Sequence, residues 1–392
     1  MSAVAETAEA LPGSAVATEN VSRTKSGRLR LEAFDALRLF CALHIMAYHL
    51  LEHPLHLLDW PDWMVVALTS TAGISTSIFF LLSGFVVAYA HAGEKKFNPL
   101  KPMGRSYPLF ILVMLSWYLG LEVFDRPDSD NFIRSLLLLN PFSGKFPTDP
   151  CVPAWAMTTF YLGYLMNALI VPGLSRLSTR RLRLWLGAVL VTLFVRGAVS
   201  AYLLQDLPPA PEHGWNEYLD FLHIFPLLRL GDILCGTLCG VIVAKEALVD
   251  GATKRSHRWR WEMMLSGIWI ACTIACLSSG ALGFGATHGL LAAPLAVWLL
   301  DARESVGGFF HRIGPWIRKN ANISLEMYVF HTFVAALVYR FASARFASET
   351  PDAEIAWTLT AFVLVAPVAY LMAAIMTRLQ RGIAWLYAKV SG

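Results

Sequence analysis

The sequence predicts an all-α, polytopic membrane protein of about ten transmembrane helices with both termini in the cytoplasm. Three observations lead to this prediction. First, 56% of the 392 residues are hydrophobic and only 15% are charged, whereas soluble proteins average roughly a quarter charged residues. Second, apolar runs long enough to cross roughly 30 Å of hydrocarbon recur along the chain. Third, Lys and Arg are concentrated in alternate loops between those runs.

The predicted spans are apolar runs that contain few charged residues. They cover residues 33–52, 64–91, 107–124, 155–173, 183–204, 219–244, 262–280, 283–300, 322–342 and 354–377. Basic residues precede the first span and occupy the even-numbered loops, whereas the odd-numbered loops at 52–56 and 206–212 contain none. By the positive-inside rule the basic loops face the cytoplasm, and an even number of spans places both termini there.

The ends of the chain and one external loop differ from the spans. Residues 1–29 are polar and lack an apolar core, so we expect a flexible cytoplasmic tail followed by a transmembrane domain over residues 30–378. Residues 379–392 place basic, Trp and Leu side chains at a spacing typical of an interfacial helix. In the external segment 125–154, residues 132–139 are too few to cross the bilayer and form either a re-entrant or a surface helix.

The same composition excludes several classes of protein. A secreted disulfide scaffold, a cytosolic Rossmann enzyme and a disordered hub do not fit so apolar a chain. The net charge of +4 is too small to imply a nucleic-acid partner. Cys235/Cys239 and Cys272/Cys276 are i,i+4 pairs inside apolar runs, so we interpret them as small helix-packing residues and expect no metal.

Span one contains charged and titratable residues whose default interpretation at membrane depth is functional. Arg38 and His49 are eleven residues apart, which is about 20° from a whole number of helical turns and a rise of about 16 Å. One helix face therefore carries a cation near the cytoplasm and an imidazole beyond the bilayer centre, with Asp35 one turn from Arg38. The alternative is that Arg38 extends to the interface and His49 is a hydrated helix end. His44 lies off this face and is interpreted as a packing residue.

Three further segments combine polar groups with apolar surroundings. Ser83-Gly84 either admits a neighbouring helix or places a hydroxyl in a cavity, and Lys101 and Arg105 follow in the next basic loop. Arg229 and Asp232 are spaced to form an i,i+3 ion pair, either a site or a self-neutralised structural pair, and Gly236 and Gly240 form a close-packing GxxxG. Ser324, Tyr328 and His331 form a polar stripe of hydroxyl, phenol and imidazole on one helix face. Such a stripe indicates a polar cavity, although membrane helices also use these groups to bind one another.

Together these segments resemble the acyltransferase-3 family of integral membrane acyltransferases. Arg38, ten intervening residues and His49 are similar to its first-helix signature, and 80–86 resembles its Ser-Gly-Phe element. The basic loop ending at 105–110 follows in the same order. Arg229-Leu-Gly-Asp232 is similar to its Arg-x-x-Glu/Asp element, and 323–331 to its closing Ser…Tyr…His. The resemblance covers residues 30–377.

One position departs from the family pattern. Many members open the fourth span with Trp-Ser-Leu-x-x-Glu, whereas this chain has Trp155-Ala-Met-Thr-Thr-Phe160. The role of that glutamate is therefore absent, or has moved to Glu326 or Asp232.

The resemblance implies transfer of an acyl group, commonly acetyl from acetyl-CoA, to a hydroxyl of a carbohydrate or small amphipathic acceptor at the cell membrane. The implied partners are acyl-CoA, that acceptor and the lipid bilayer. The ordinary imidazole pKa of about 6.5 suits His49 to act as general base, or alternatively as an acyl carrier. The expected roles are as follows: catalytic, His49, Arg38 and Tyr328; cofactor-binding, Arg38, Ser83, Lys101 and Arg105; substrate-binding, Trp155, Arg229, Asp232, Glu326 and His331.

A membrane transporter or flippase of a lipid-linked or amphipathic metabolite is the competing function. It would use the same polar stripe as a pathway, but the Pro and Gly positions show no paired helix interruptions in two halves of the chain. A non-catalytic scaffold accounts least well for the polar residues inside spans.

Overall fold

The computed structural model describes most of the helical core of the chain. The described residues are 32–57, 62–94, 97–119, 129–142, 154–204, 224–249, 292–301, 314–317, 320–321, 323–346, 360, 363–365, 367–375, 377–379 and 382. All of them belong to one compact unit, Leu31–Gly392. The predicted tail, the predicted span 262–280, and the predicted interfacial helix except residues 379 and 382 lie outside the described residues.

The described residues are almost entirely helical, and no β-strand occurs among them. The helices are α1 Glu32–Leu57, α2 Asp62–His91, α3 Leu100–Leu119, α4 Ser129–Leu136, α5 Ala154–Leu174, α6 Thr179–Leu204, α7 Pro226–Val249, α8 Ala292–Asp301 and α9 Ser324–Phe346. A 3₁₀ turn covers Asn140–Phe142, and an apolar helix, α10, covers Val363–Leu379. The prediction of an all-α protein is confirmed for this part of the chain.

Among the described residues, four helical segments are long and apolar enough to cross a bilayer, by length and composition. They are Ala72–His91, Trp155–Leu174, Thr179–Val199 and Pro226–Glu246. Each contains or overlaps a predicted span. The count of ten spans and the cytoplasmic placement of both termini stay predictions. Helix α3 begins before the predicted limit of 107 because the Asn98 side chain accepts a hydrogen bond from the Leu100 amide (3.0 Å) and caps the helix.

Helices α2 and α7 form the most extensive interhelical contact in the described part of the molecule. Glycines allow this contact: a Cβ on Gly84 would overlap the carbonyl oxygen of Ile233, and one on Gly236 would overlap that of Leu81. A Cβ on Gly240 would lie 3.0 Å from the Tyr89 amide nitrogen. The prediction that these glycines admit a neighbouring helix is confirmed.

Helices α1 and α9 run in the same direction along one another. Arg38 donates a hydrogen bond to the carbonyl of Ala321 (2.8 Å), just before α9 begins. Eleven residues later the His49 ring stacks on that of His331, ten residues after Ala321, with ring centroids 5.2 Å apart. Because the point of contact moves by nearly the same number of residues along both helices, their polar faces meet over about 16 Å.

The segment Ser129–Phe142 folds back against α3 and α5. The Tyr118 and Phe132 rings stack with centroids 4.3 Å apart, and further along α4 the Tyr107 hydroxyl donates to the Leu136 carbonyl (2.6 Å). The Thr158 hydroxyl donates to the carbonyl of Leu138 (3.1 Å), a residue with φ of 62°. Since Tyr107 lies mid-way along α3, this segment lies beside that helix rather than beyond its end. The choice between a re-entrant and a surface helix stays a prediction.

Candidate active site

The rings of His49 and His331 stack on each other where α1 contacts α9. Their rings are inclined by 28°, and the Tyr328 ring lies 5.7 Å from that of His331. His331 is fully buried, Tyr328 is buried and His49 is half-buried. Three predicted site residues from opposite ends of the chain therefore meet at one place.

The tautomer of His331 is fixed by a backbone contact. Its Nδ1 lies 2.6 Å from the Tyr328 carbonyl oxygen, which can only accept, so Nδ1 carries the proton and Nε2 keeps a lone pair. Nε2 is buried and has no hydrogen-bond partner among the described residues. A neutral acceptor nitrogen is thus held beside His49, where a hydroxyl-bearing ligand can donate to it.

A cavity of about 200 Å³ lies at the other end of the α1–α9 pair. Six of its lining residues have polar or charged side chains: Arg38, Ser83, Ser106, Tyr164, Ser324 and Glu326. Apolar walls come from α2, α3 and α5 and include Phe79, Leu82, Val86, Pro102 and Phe160. The lining residues of α1, α2, α3 and α9 lie toward the helix ends that the sequence predicts to be cytoplasmic, whereas Phe160 lies nearer the predicted external end of α5.

A row of aromatic rings connects this cavity with the histidines. Phe79, which lines the cavity, stacks on Tyr328 with centroids 5.9 Å apart. Tyr328 in turn contacts His331, and His331 contacts His49. The cavity wall and the histidine pair are therefore joined by packed rings, and they lie about three helical turns apart along α1.

A second group of charged residues joins α2, α6 and α7. Arg229 pairs with Asp232 (3.1 Å), as its i,i+3 spacing predicts, and donates to the Ser77 hydroxyl (3.0 Å). Asp232 also pairs with Arg196 of α6 (3.3 Å), which donates to the Leu228 carbonyl. The Arg229 guanidinium lies 5.1 Å from the Phe80 ring centroid.

The comparisons with known proteins agree with this architecture. A sequence profile described as an acyltransferase domain of the acyltransferase-3 type matches residues 31–377. The chain belongs to the acyltransferase-3 family. It is also similar to the acyltransferase MdmB of Streptomyces mycarofaciens, with 23% identity over 228 residues. That alignment covers 55% of this chain and 58% of the relative, so the chain spans less than two thirds of the relative's length. No solved structure matches the chain.

Phe160, the residue at which the sequence differs from the expected family pattern, lies in the cavity wall. Phe160 is buried, and its ring centroid lies 4.9 Å from that of Phe80 and 5.6 Å from that of Phe79. Of the two carboxylates considered as replacements for the missing glutamate, Glu326 lines the same cavity. Asp232 is instead held between two arginines.

The remaining predicted site residues are placed less centrally. Ser83 lines the cavity, whereas Lys101 is exposed one residue before the cavity-lining Pro102. Arg105 lies on α3, but its side chain is outside the described residues. Trp155 packs edge-on against Phe80 with centroids 5.7 Å apart and so belongs to the Arg229 group rather than to the histidine pair.

Sequence reasoning missed two polar residues that the fold brings to these groups. Arg196 joins the Arg229–Asp232 pair, and it was detectable as a charged residue inside an apolar run. Ser106 lines the cavity and shares a hydrogen bond with the Tyr161 hydroxyl (3.0 Å); a serine at a helix start carries no comparable signal. His44, interpreted as packing, forms a hydrogen bond with Ser75 (2.6 Å), away from the described cavity lining and the histidine pair.

Proposed function

We propose that this protein is a membrane acyltransferase that moves an acyl group, of which acetyl is the first candidate, from cytoplasmic acyl-CoA to a hydroxyl of a carbohydrate or small amphipathic acceptor. The observation that carries the proposal is the stacking of His49 on His331 at the far end of a helix pair whose near end lines a polar cavity. Membership of the acyltransferase-3 family supports the same reaction class.

In the proposed reaction His49 acts as the general base. The acceptor oxygen attacks the thioester carbonyl carbon while its proton passes to His49. The tetrahedral intermediate then collapses with cleavage of the C–S bond, and the proton moves from His49 to the departing CoA thiolate. The products are the ester and free CoA, so protons and acyl groups balance without a metal.

The neighbouring groups have distinct proposed roles. His331, oriented by its hydrogen bond to the Tyr328 carbonyl, offers Nε2 to a donor group of the acceptor. The Tyr328 phenol is the better candidate for stabilising the oxyanion, because Arg38 lies about 16 Å along α1 from His49. Arg38, together with the basic residues Lys101 and Arg105 of α3, instead attracts the phosphates of CoA at the cytoplasmic side.

The test uses the purified full-length protein in detergent with acetyl-CoA labelled in the acetyl group. Label should move to hydroxyl-bearing compounds in an extract of producing cells, and His49→Ala should reduce the rate by roughly 10²–10⁴-fold, the usual contribution of a general base. His44→Ala is the matched control, because His44 is on the same helix but contacts Ser75. Its transfer rate should stay within about threefold of wild type, since the His44–Ser75 hydrogen bond lies away from the histidine pair and His44 does not line the cavity.

Two outcomes would contradict the proposal. Equal loss of activity in both histidine variants, accompanied by lower thermal stability, would make His49 a structural residue. The transporter alternative would be favoured if an amphipathic compound crossed the membrane of vesicles containing the protein while no label was transferred from acetyl-CoA.

A further inference from the structure

Helix α6 is the most exposed of the membrane-length helices in the described part of the chain. Only 22% of its segment Thr179–Val199 is buried inside the protein, against 44% to 72% for the other three such segments. Exposed side chains at helical spacing form one outward face, which consists of Leu184, Trp185, Ala188, Val191, Val195 and Val199. In a bilayer this apolar face of α6 contacts lipid chains rather than the rest of the protein.

Three arginines lie at the end of this face that the sequence predicts to be cytoplasmic. Arg180 and Arg181 precede Leu184 and Trp185 by four residues each, so they flank the same side of α6. Arg176 lies in the turn before the helix, and all three arginines are exposed. Within the described ranges none of them forms an ion pair, and the first turn of α6 contains no acidic residue.

Two acidic residues at neighbouring helix ends are already engaged. Glu246 of α7 pairs with Arg183 (2.5 Å), and Glu94, just after α2, lies 2.7 Å from the His91 ring. The exposed patch therefore carries three positive charges that no described carboxylate neutralises. A guanidinium group donates two parallel hydrogen bonds to a phosphate, so a patch of arginines suits a phosphate-bearing ligand.

The turn that carries Arg176 is held by hydrogen bonds from two other helices. The half-buried Lys245 of α7 donates to the carbonyls of Ser175 (2.9 Å) and Leu177 (2.7 Å). The Gly93 amide, just after α2, donates to the Ser175 hydroxyl (3.2 Å). The backbone that presents the arginines is thus fixed before any ligand arrives, which lowers the entropic cost of binding one.

We propose that this arginine patch binds the headgroup of an anionic phospholipid whose acyl chains lie along the apolar face of α6. Arg180 and Arg181 donate to the lipid phosphate, and Arg176 adds further attraction. Trp185 is 56% exposed and lies one turn into the helix, at the headgroup level where tryptophan is enriched. From Arg180 to Val191 the helix rises about 16 Å, about half the hydrocarbon thickness and so the length of one leaflet. The lipid site is independent of the proposed acyl transfer.

A second copy of the chain fits the same face less well. Copies in one membrane share an orientation, so a symmetric pair joined through α6 would bring both arginine patches to the same depth. Like charges would then face each other, with no acidic residue in the first turn of α6 to separate them. An anionic lipid supplies the negative charge that the patch lacks and covers the apolar face below it.

Tryptophan quenching by brominated lipid tests the proposal on the full-length protein in non-ionic detergent. The probes are phosphatidylglycerol and phosphatidylcholine with the same dibrominated acyl chains, added to the micelles. Phosphatidylglycerol should quench the part of the fluorescence that Trp185→Phe removes, at a mole fraction roughly tenfold or more below that of phosphatidylcholine. Arg180→Gln/Arg181→Gln should raise the half-quenching fraction of phosphatidylglycerol by roughly 25-fold, since each basic residue near an anionic surface contributes about fivefold.

Arg134→Gln/Arg378→Gln is the matched control, because it removes the same total charge from α4 and α10 and leaves the patch intact. It should shift the half-quenching fraction by less than about threefold. Equal shifts in the two double variants, or equal quenching by both lipids in wild type, would overturn the proposal. Displacement of phosphatidylglycerol by inorganic phosphate would assign the patch to a free anion. A two-chain particle in which Trp185 is shielded from both lipids would assign the face to a second copy, and either result would also overturn the lipid site.

Discussion

The glycine contact between α2 and α7 allows a stability prediction whose size follows from the structure. In a Gly236→Ala variant the new Cβ would overlap the Leu81 carbonyl oxygen and lie 2.7 Å from its carbonyl carbon. Ordinary contacts of this kind are 3.4–4 Å. Both sides are backbone, so no side chain can rotate away, and the helices must separate by more than 1 Å to relieve the contact with the carbonyl oxygen.

That separation has a calculable cost. A radial gap of about 0.5–1 Å forfeits a quarter to a half of each dispersion contact that it opens. Because α2–α7 is the most extensive helix contact in the described part of the chain, we expect Gly236→Ala to lower the free energy of unfolding by about 3 kcal/mol, the upper range for overpacking. This is roughly a hundredfold change in the unfolding equilibrium.

Gly187→Ala is the matched control, because Gly187 also lies inside a helix but a Cβ there meets nothing within 4 Å. It should leave stability unchanged or raise it by about 0.5–1 kcal/mol through helix propensity. Denaturant titration in mixed micelles, followed by intrinsic fluorescence, measures both variants. Wild-type stability in Gly236→Ala, or equal losses in the two variants, would refute the close approach of α2 and α7.

Two further predictions concern buried polar contacts. Asp232→Asn should lower the free energy of unfolding by about 3–5 kcal/mol, because it removes a partner from the fully buried Arg229. Asp35→Asn is the control and should lower it by under about 1 kcal/mol, because the arginine partner of Asp35 is 26% exposed. Equal effects of the two variants in the same denaturant titration would contradict the prediction. Tyr107→Phe removes the donor to the Leu136 carbonyl and should cost about 1–2 kcal/mol. It should also speed proteolysis within the segment Ser129–Phe142. An unchanged digestion rate would show that this hydrogen bond does not hold the segment.

The sequence by itself determined the features that depend on local helical geometry. The spacing of Arg38 and His49 predicted a common face of α1, and both side chains meet α9 along that face. The i,i+3 spacing of Arg229 and Asp232 predicted their ion pair. Period and rise are properties of any α-helix, so residues within one helix can be placed relative to each other before the fold is known.

Only the tertiary structure decided which helix faces meet. The stacking of His49 on His331 joins residues 282 positions apart, and the pairing of Arg196 with Asp232 joins α6 to α7. The placement of Glu326 opposite Phe160 in one cavity is likewise a consequence of packing. In an apolar solvent the helix surfaces are similarly hydrophobic, so the choice of partner follows from close backbone approach at small residues and from interhelical polar contacts. Neither can be obtained from the periodicity of a single helix.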